Sequence, residues 1–316
     1  MNSTPKVTVG IPTRNRREYV MEAIRSVLAQ TYENLEVIVS DNQSSDDTWE
    51  HLSATGDPRV KAIHQHVDIG MVGNFNAVLE AASGDFFLLL SDDDLLKPSA
   101  LEKLTAPFRE AGPQSASIGL SWCPCVVIDA HGGAMWETAG GPQSETSAEF
   151  ISGLWLGHRG PRLASVMVRT QDARSVGGYD AERFGAVCDT ANWAQVAIEY
   201  DKVFCAPNTL VMYRVHPSSG TSSAACRDWQ DWGANLHAAV LERVKKRGSG
   251  PAIRSIEKSS KPLLANLTVD VLMRGMGKPG WKLQMAKEFW RSRTFMFTPY
   301  VAGRIAKDGV KLLRLK

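Results

Sequence analysis

Apolar positions along the first hundred residues alternate between two periods. A β-branched run at 6–11 is ended by Pro12, after which Val20, Ile24, Val27 and Leu28 recur at helical spacing as far as Gln30. A second strand is predicted at 35–40, then a polar loop and a helix over 48–54, and a third strand at 60–65. A helix over 74–82 and a fourth strand at 85–91 complete the series. Strand and helix alternating at this spacing predict a mainly parallel sheet with right-handed crossovers. Ligands of such sheets bind beyond the carboxyl ends of the strands, which draws attention to the loops after Ile11, Ser40 and Leu90.

Beyond Pro98 the pattern loosens. Pro98 suits the first turn of a helix carrying Leu101, Leu104 and Phe108. Strands are predicted at 118–122, 126–128 and 164–169, a helix over 189–199, and strand-like alternation over 202–215. The Gly-, Pro- and Ser-rich stretch 129–147 reads as an exposed loop. After residue 226 the segments 227–247, 253–276 and 281–315 lean helical, and the Ser-rich stretch near 217–226 reads as a linker. The expected organisation is one domain over 1–220 and a helical region over 221–316.

Composition sharpens this division. The net charge of +2 over 316 residues is a sum of unlike parts. Residues 1–225 carry 17 Lys and Arg against 27 Asp and Glu, whereas 226–316 carry 19 against 7. The longest purely apolar run, Phe86 to Leu90, is far below the roughly 20 residues of a membrane-spanning helix. Met1 leads through five polar or small residues into a strand, with no signal-peptide pattern, so a cytoplasmic protein is expected. Cys123 and Cys125 lack a second pair or a nearby His set, and the five cysteines are expected to be reduced thiols.

Three segments carry candidate chemistry. Ser91-Asp92-Asp93-Asp94 places three carboxylates at the end of an apolar strand, where a cation would relieve their repulsion. Such hard oxygen donors suit Mg²⁺ or Mn²⁺ completed by phosphate oxygens and water; an acidic turn capping the next helix is the alternative. Asp41 ends the second strand and can accept from a base N–H, while Ser45 or Asp46 suits the cap of the following helix. Pro12-Thr13-Arg14-Asn15-Arg16 offers backbone N–H groups, a hydroxyl and guanidinium groups to an anion or nucleotide.

Taken together, residues 7–15, 37–46 and 89–94 resemble glycosyltransferase family 2, and the segment 70–76 falls where that family has a Gly- and Asn-rich stretch. The resemblance covers about residues 5–220. It implies the GT-A fold (an α/β, Rossmann-like mixed, mainly parallel sheet flanked by helices), a nucleotide-sugar donor, a divalent cation, and an inverting transfer. It further implies that Pro12, Thr13, Arg14 and Asn15 contact the nucleotide, that Asp41 reads the base, and that Asn74 lies in the donor region. Asp92 and Asp93 match the pair holding ribose and metal, with Asp93 the direct ligand and Asp94 a second ligand or its support. Phe75 or Asn76 stands where many relatives carry an Arg.

On the acceptor side, Gly177 to Asp180 and then Cys188 to Trp193 resemble the family's segment with an acidic pair. Cys188 replaces the first acid, which leaves Asp189 as the base; Asp189 also suits a helix N-cap, and Asp180 a turn. Tyr213-Arg214-Val215-His216 resembles a strand end that covers the donor, with Arg214 toward phosphate and His216 toward the metal–diphosphate group. The expected donor is a UDP-sugar, with dTDP- or GDP-sugars as alternatives, and the acceptor a saccharide or lipid-linked saccharide of a bacterial surface polysaccharide. Residues 278–316 interleave ten Lys and Arg with six aromatics and suit either an anionic membrane surface or a helical appendage packed on the first domain. No nucleic-acid recognition motif is present. A non-catalytic nucleotide-sugar-binding scaffold and a metal-dependent nucleotidyltransferase or phosphohydrolase are the competing readings; the second lacks a Gly-rich, Lys-bearing phosphate loop.

Overall fold

The computed structural model describes residues 4–110, 112–216, 226–259 and 263. The linker expected at 217–226 lies outside them but for its last residue, and the basic segment 278–316 lies wholly outside. The first hundred residues follow the predicted alternation: β1 (Val7–Thr13), α1 (Arg17–Leu28), β2 (Leu35–Asp41), α2 (Thr48–Ser53), β3 (Val60–His64), α3 (Gly70–Ala81) and β4 (Phe86–Leu89). They are followed by β5 (Leu95–Leu96), α4 (Ala100–Glu110), β6 (Ile118–Trp122), β7 (Cys125–Ile128), β8 (Ala134–Glu137) and β9 (Ser144–Thr146). The remainder comprises α5 (Ser147–Trp155), β10 (Val166–Arg169), α6 (Thr170–Ser175), α7 (Ala181–Phe184), α8 (Cys188–Ile198), β11 (Lys202–Cys205), β12 (Val211–Arg214) and α9 (Cys226–Arg247).

Eight strands form one sheet in the order β3-β2-β1-β4-β10-β6-β11-β9. Pairing is parallel from β3 through β4 and between β6 and β11; β10 runs antiparallel between β4 and β6. Four short strands form a second sheet in the order β5-β12-β7-β8. Pro12 does not end β1 as expected. Its ladder with β4 stops at Gly10, and beyond it only β2 pairs with β1, so the missing N–H of Pro12 is not needed there.

The central strands are buried on both faces. Val7, Val9 and Ile11 pack with Val20, Ile24 and Val27 of α1 and Leu101 and Leu104 of α4. Phe87 and Leu89 face the opposite side, with Val78 and Leu79 of α3. Gly10 allows α3 to approach, since a Cβ there would meet Val78 Cγ2 at 2.8 Å and Phe87 at 2.9 Å. The described part of the C-terminal region joins this second core: Trp229, Leu236, Val240 and Val244 of α9 pack with Trp193 and Val196 of α8.

Three expectations are corrected. The stretch 129–147 holds β8 and β9, because its Gly and Pro residues punctuate short edge strands. The alternation at 202–215 belongs to two strands in different sheets. Asp189 is not the N-cap: α8 begins one residue earlier, at Cys188, and Asp189 lies in its first turn. Asp180, by contrast, caps α7, accepting from the Arg183 N–H at 2.8 Å.

Candidate functional site

The carboxyl ends of β1, β2 and β4 open into a cleft of about 1010 Å³. One half is lined by Pro12, Thr13, Arg14, Arg16, Asn74, Asp92 and Asp93, and the other by Asp189, Thr190, Trp193, Arg162 and Trp136. Tyr213, Arg214 and His216 also line it.

The acidic turn after β4 is held by the side chains of Arg16, Thr13 and His216. One Arg16 nitrogen lies 3.0 Å from both Asp92 Oδ1 and Asp93 Oδ2. Thr13 donates its hydroxyl to Asp92 Oδ2 at 2.7 Å, and His216 Nε2 lies 2.8 Å from Asp93 Oδ2. Burial pushes the Asp92 carboxyl up to about 6, against the lowering charge of Arg16. Burial works against the Arg16 charge, but Asp92 and Asp93 more than offset it and raise its pKa. The sequence reading placed Arg16 in a basic turn facing an anion or nucleotide and did not foresee that it pairs with these two carboxylates.

Asp94 and Arg214 have other duties. Asp94 is fully buried and does not line the cleft. Its Oδ1 accepts the Arg214 backbone N–H at 2.8 Å, and Oδ2 has no partner. The Arg214 guanidinium, expected at a phosphate, is committed to the Asp93 and Ala130 carbonyls and to Glu22, all at 2.9 Å. It stacks over Tyr19, whose other neighbour is the His216 ring at 5.5 Å.

Asp41 and Asn15 are likewise engaged by the chain and do not line the cleft. Asp41 accepts from the Ser44 hydroxyl and contacts His64 Nδ1 at 3.0 Å. Asn15 adopts φ 53° and accepts from the Ser45 N–H at 2.7 Å, joining the loops after β1 and β2. Asn74 donates to the Ser40 carbonyl at 2.9 Å and the Thr13 carbonyl at 3.3 Å; its own oxygen is buried without a partner. Arg14 pairs with Asp68, which also accepts from Asn42 at 2.8 Å.

Across the cleft, Asp189 accepts from the Thr190 N–H at 2.6 Å. Burial raises its pKa, and the Thr190 groups and the Arg162 charge moderate the rise. Cys188, the neighbour that stands where an acid was expected, is buried and held as a neutral thiol.

The donor set fits a small divalent cation arriving with a polyphosphate. Asp93 and His216 present an oxygen and a nitrogen 2.8 Å apart in the cleft, with Asp92 beside them. Among the described residues no three such groups converge as a closed cage, and an open site of this kind leaves positions for phosphate oxygens and water.

An eight-stranded mixed sheet opening on such a cleft defines the GT-A class of sugar-transfer folds. S. aureus TarS, residues 1–349, superposes with a TM-score of 0.64 at 16% identity, covering 89% of this chain and 78% of TarS. A mannosyltransferase of Pyrobaculum calidifontis, solved with GDP-Man and Mn²⁺, gives 0.54 at 17% identity over 95% of this chain and 83% of that one. Residues 8–126 match the profile described as Glycosyl transferase family 2. The GalNAc(5)-diNAcBac-PP-undecaprenol beta-1,3-glucosyltransferase of Campylobacter jejuni is 42% identical over 109 residues, 34% of this chain and 35% of that protein. The matched segment thus spans about a third of such curated relatives.

Proposed function

We propose that this protein transfers a sugar from a nucleotide-sugar donor to a saccharide or lipid-linked saccharide acceptor in bacterial surface-glycan synthesis, with inversion. The observation that carries this reading is the pairing, across one cleft, of the Asp92–Asp93–Arg16–His216 cluster with the half-buried carboxylate of Asp189. A UDP-sugar is the first donor to try, since TarS was solved with UDP-GlcNAc; the mannosyltransferase keeps GDP-sugars in the panel.

Arg14 and Thr13 flank the nucleotide half, and Arg16 holds Asp92 and Asp93 together while adding positive charge beside the diphosphate. A divalent cation held by Asp93 and His216 would neutralise the departing nucleoside diphosphate; the imidazole favours Mn²⁺ over Mg²⁺. Asp94 supports that turn from below rather than ligating. Asp189 removes the proton from the attacking acceptor hydroxyl, and its raised pKa makes it a stronger base than an ordinary carboxylate.

Asp189→Asn tests this directly. Transfer should fall by about 10²–10⁴-fold with donor binding little changed, because a positioned base contributes on that order. Undiminished transfer by Asp189→Asn would remove Asp189 from the mechanism. Donor hydrolysis indifferent to every acceptor would replace transfer with hydrolysis.

We also propose that the basic, aromatic-bearing segment 278–316 holds the protein at an anionic membrane surface. No helix among the described residues is long and apolar enough to cross a membrane. Salt-sensitive binding to vesicles containing phosphatidylglycerol, lost on truncation near residue 278, is the expected outcome. Indifference to such vesicles would leave this segment a packed appendage.

A further inference from the structure

The acceptor half of the cleft contains a cation that the reaction above does not use. Arg162 is half-buried just before β10, lines the cleft, and forms no ion pair among the described residues. Its side chain donates to the adjacent Pro161 carbonyl at 3.2 Å, and its guanidinium lies 5.5 Å from the centre of the Tyr213 ring. The Asp189 carboxylate and the buried, neutral thiol of Cys125 lie near it. Its neighbour Arg159 behaves differently: two of its nitrogens grip Glu145 at 2.8 and 2.9 Å, and its stem packs against Gly141 and Gly153.

That grip anchors the segment preceding Arg162. Gly160 donates to the Ala139 carbonyl at 2.9 Å, so the segment is fastened to the strand end that carries Trp136. Thr138 in turn bonds the Cys125 backbone, accepting its N–H at 2.9 Å and donating to its carbonyl at 2.8 Å. Trp136 lies on edge strand β8, is 42% exposed and lines the same cleft. A guanidinium fork matches a carboxylate or phosphate with two parallel hydrogen bonds. Stacking on Tyr213 limits its freedom, which lowers the cost of ordering it around an anion. An indole presents a broad apolar face with a polar edge, the complement of a sugar ring.

We propose that the acceptor is an anionic saccharide: Arg162 holds its phosphate or carboxylate while Trp136 covers the face of its sugar ring. This rests on the cleft being the transfer site. The charge lies on, or next to, the sugar whose hydroxyl reaches Asp189, because Arg162 and Asp189 line one cavity and the Arg162 charge acts on Asp189.

The test is calorimetric titration of the full-length protein, with the donor half filled by UDP and Mn²⁺. Glucose 1-phosphate, glucuronic acid and methyl glucoside are the probes. At least one charged probe should bind tenfold or more tightly than methyl glucoside. Arg162→Ala should erase that preference and Arg162→Lys restore part of it, whereas Trp136→Ala should weaken all three probes alike. A preference for the sugar phosphate identifies a phosphate-linked acceptor, and a preference for the uronate an acidic polysaccharide. The proposal fails if no charged probe outbinds the neutral one, or if Arg162→Ala keeps the preference. The titration reads binding and not turnover, so an error about the base shows in transfer assays and not here.

Discussion

Asp94 and Arg214 divide a task that their neighbours' chemistry conceals. The Asp94 oxygen fixes the Arg214 backbone, and the Arg214 side chain returns to the Asp93 carbonyl, so the acidic turn and β12 are locked in both directions. Asp94→Asn keeps an oxygen acceptor for that N–H and is expected to change stability by under about 1 kcal/mol. Asp94→Ala leaves the N–H unpaired and should cost about 1–3 kcal/mol in urea unfolding. Asp93→Asn should instead abolish transfer while leaving stability nearly unchanged. Asp189 carries its own pH signature. A base works deprotonated, so activity should fall as pH drops through its folded pKa, which burial places above the ordinary 3.8. An acid limb of kcat at or below that value would exclude Asp189 as the titrating group.

At the scale of elements, the site depends on how tightly β1 and β4 are clamped. A Cβ at Gly84, just before β4, would lie 2.7 Å from the Thr8 backbone nitrogen and 2.8 Å from the Lys6 carbonyl. Neither backbone atom can move without breaking the ladder, so Gly84→Ala should cost about 1–3 kcal/mol and lower the urea midpoint. The strands between β1 and β4 were legible because each is a run of apolar residues bounded by polar loops. Edge strands β8 and β9 were not, because Ala134–Glu137 is exposed at every position and offers no alternation. Helix α5 was missed too, although Thr146 and Glu149 form a capping box at its start. The loop reading stopped at residue 147, and residues 148–155 were assigned no element.

For the molecule as a whole, Glu36 ties three segments together. It accepts from Lys6 at 2.7 Å, from Thr8 at 2.5 Å, and from the Ser83 N–H at 2.7 Å. Burial raises its pKa, but these hydrogen bonds outweigh burial and lower it from 4.5 to about 2. A depressed folded pKa stabilises above the unfolded value and is lost as pH falls through the folded one. Glu36 should therefore contribute about 2–3 kcal/mol above pH ~5, fading toward pH ~2. Urea midpoints should fall between pH 5 and pH 3 in the parent, and Glu36→Gln should flatten that dependence. The acidic first part of the chain also acquires a structural reading, since several of its carboxylates bridge strands or hold the cleft's cations.

Sequence alone determined the alternation of strands and helices through residue 91, the parallel half of the sheet, and the loops where ligands meet it. Those features are local: period, turn residues and charge at strand ends are written in neighbouring positions. It also brought Asp92, Asp93, Asp189 and His216 forward as candidates, all of which line one cleft. Tertiary structure decided which candidates face that cleft. Asp41, Asn15 and Asp94 are engaged by the chain, Arg214 braces a turn, and Arg16 takes the place at the carboxylates. The reason is that a side chain's duty depends on partners 23 to 121 positions away, and only folding brings those distances to about three ångströms.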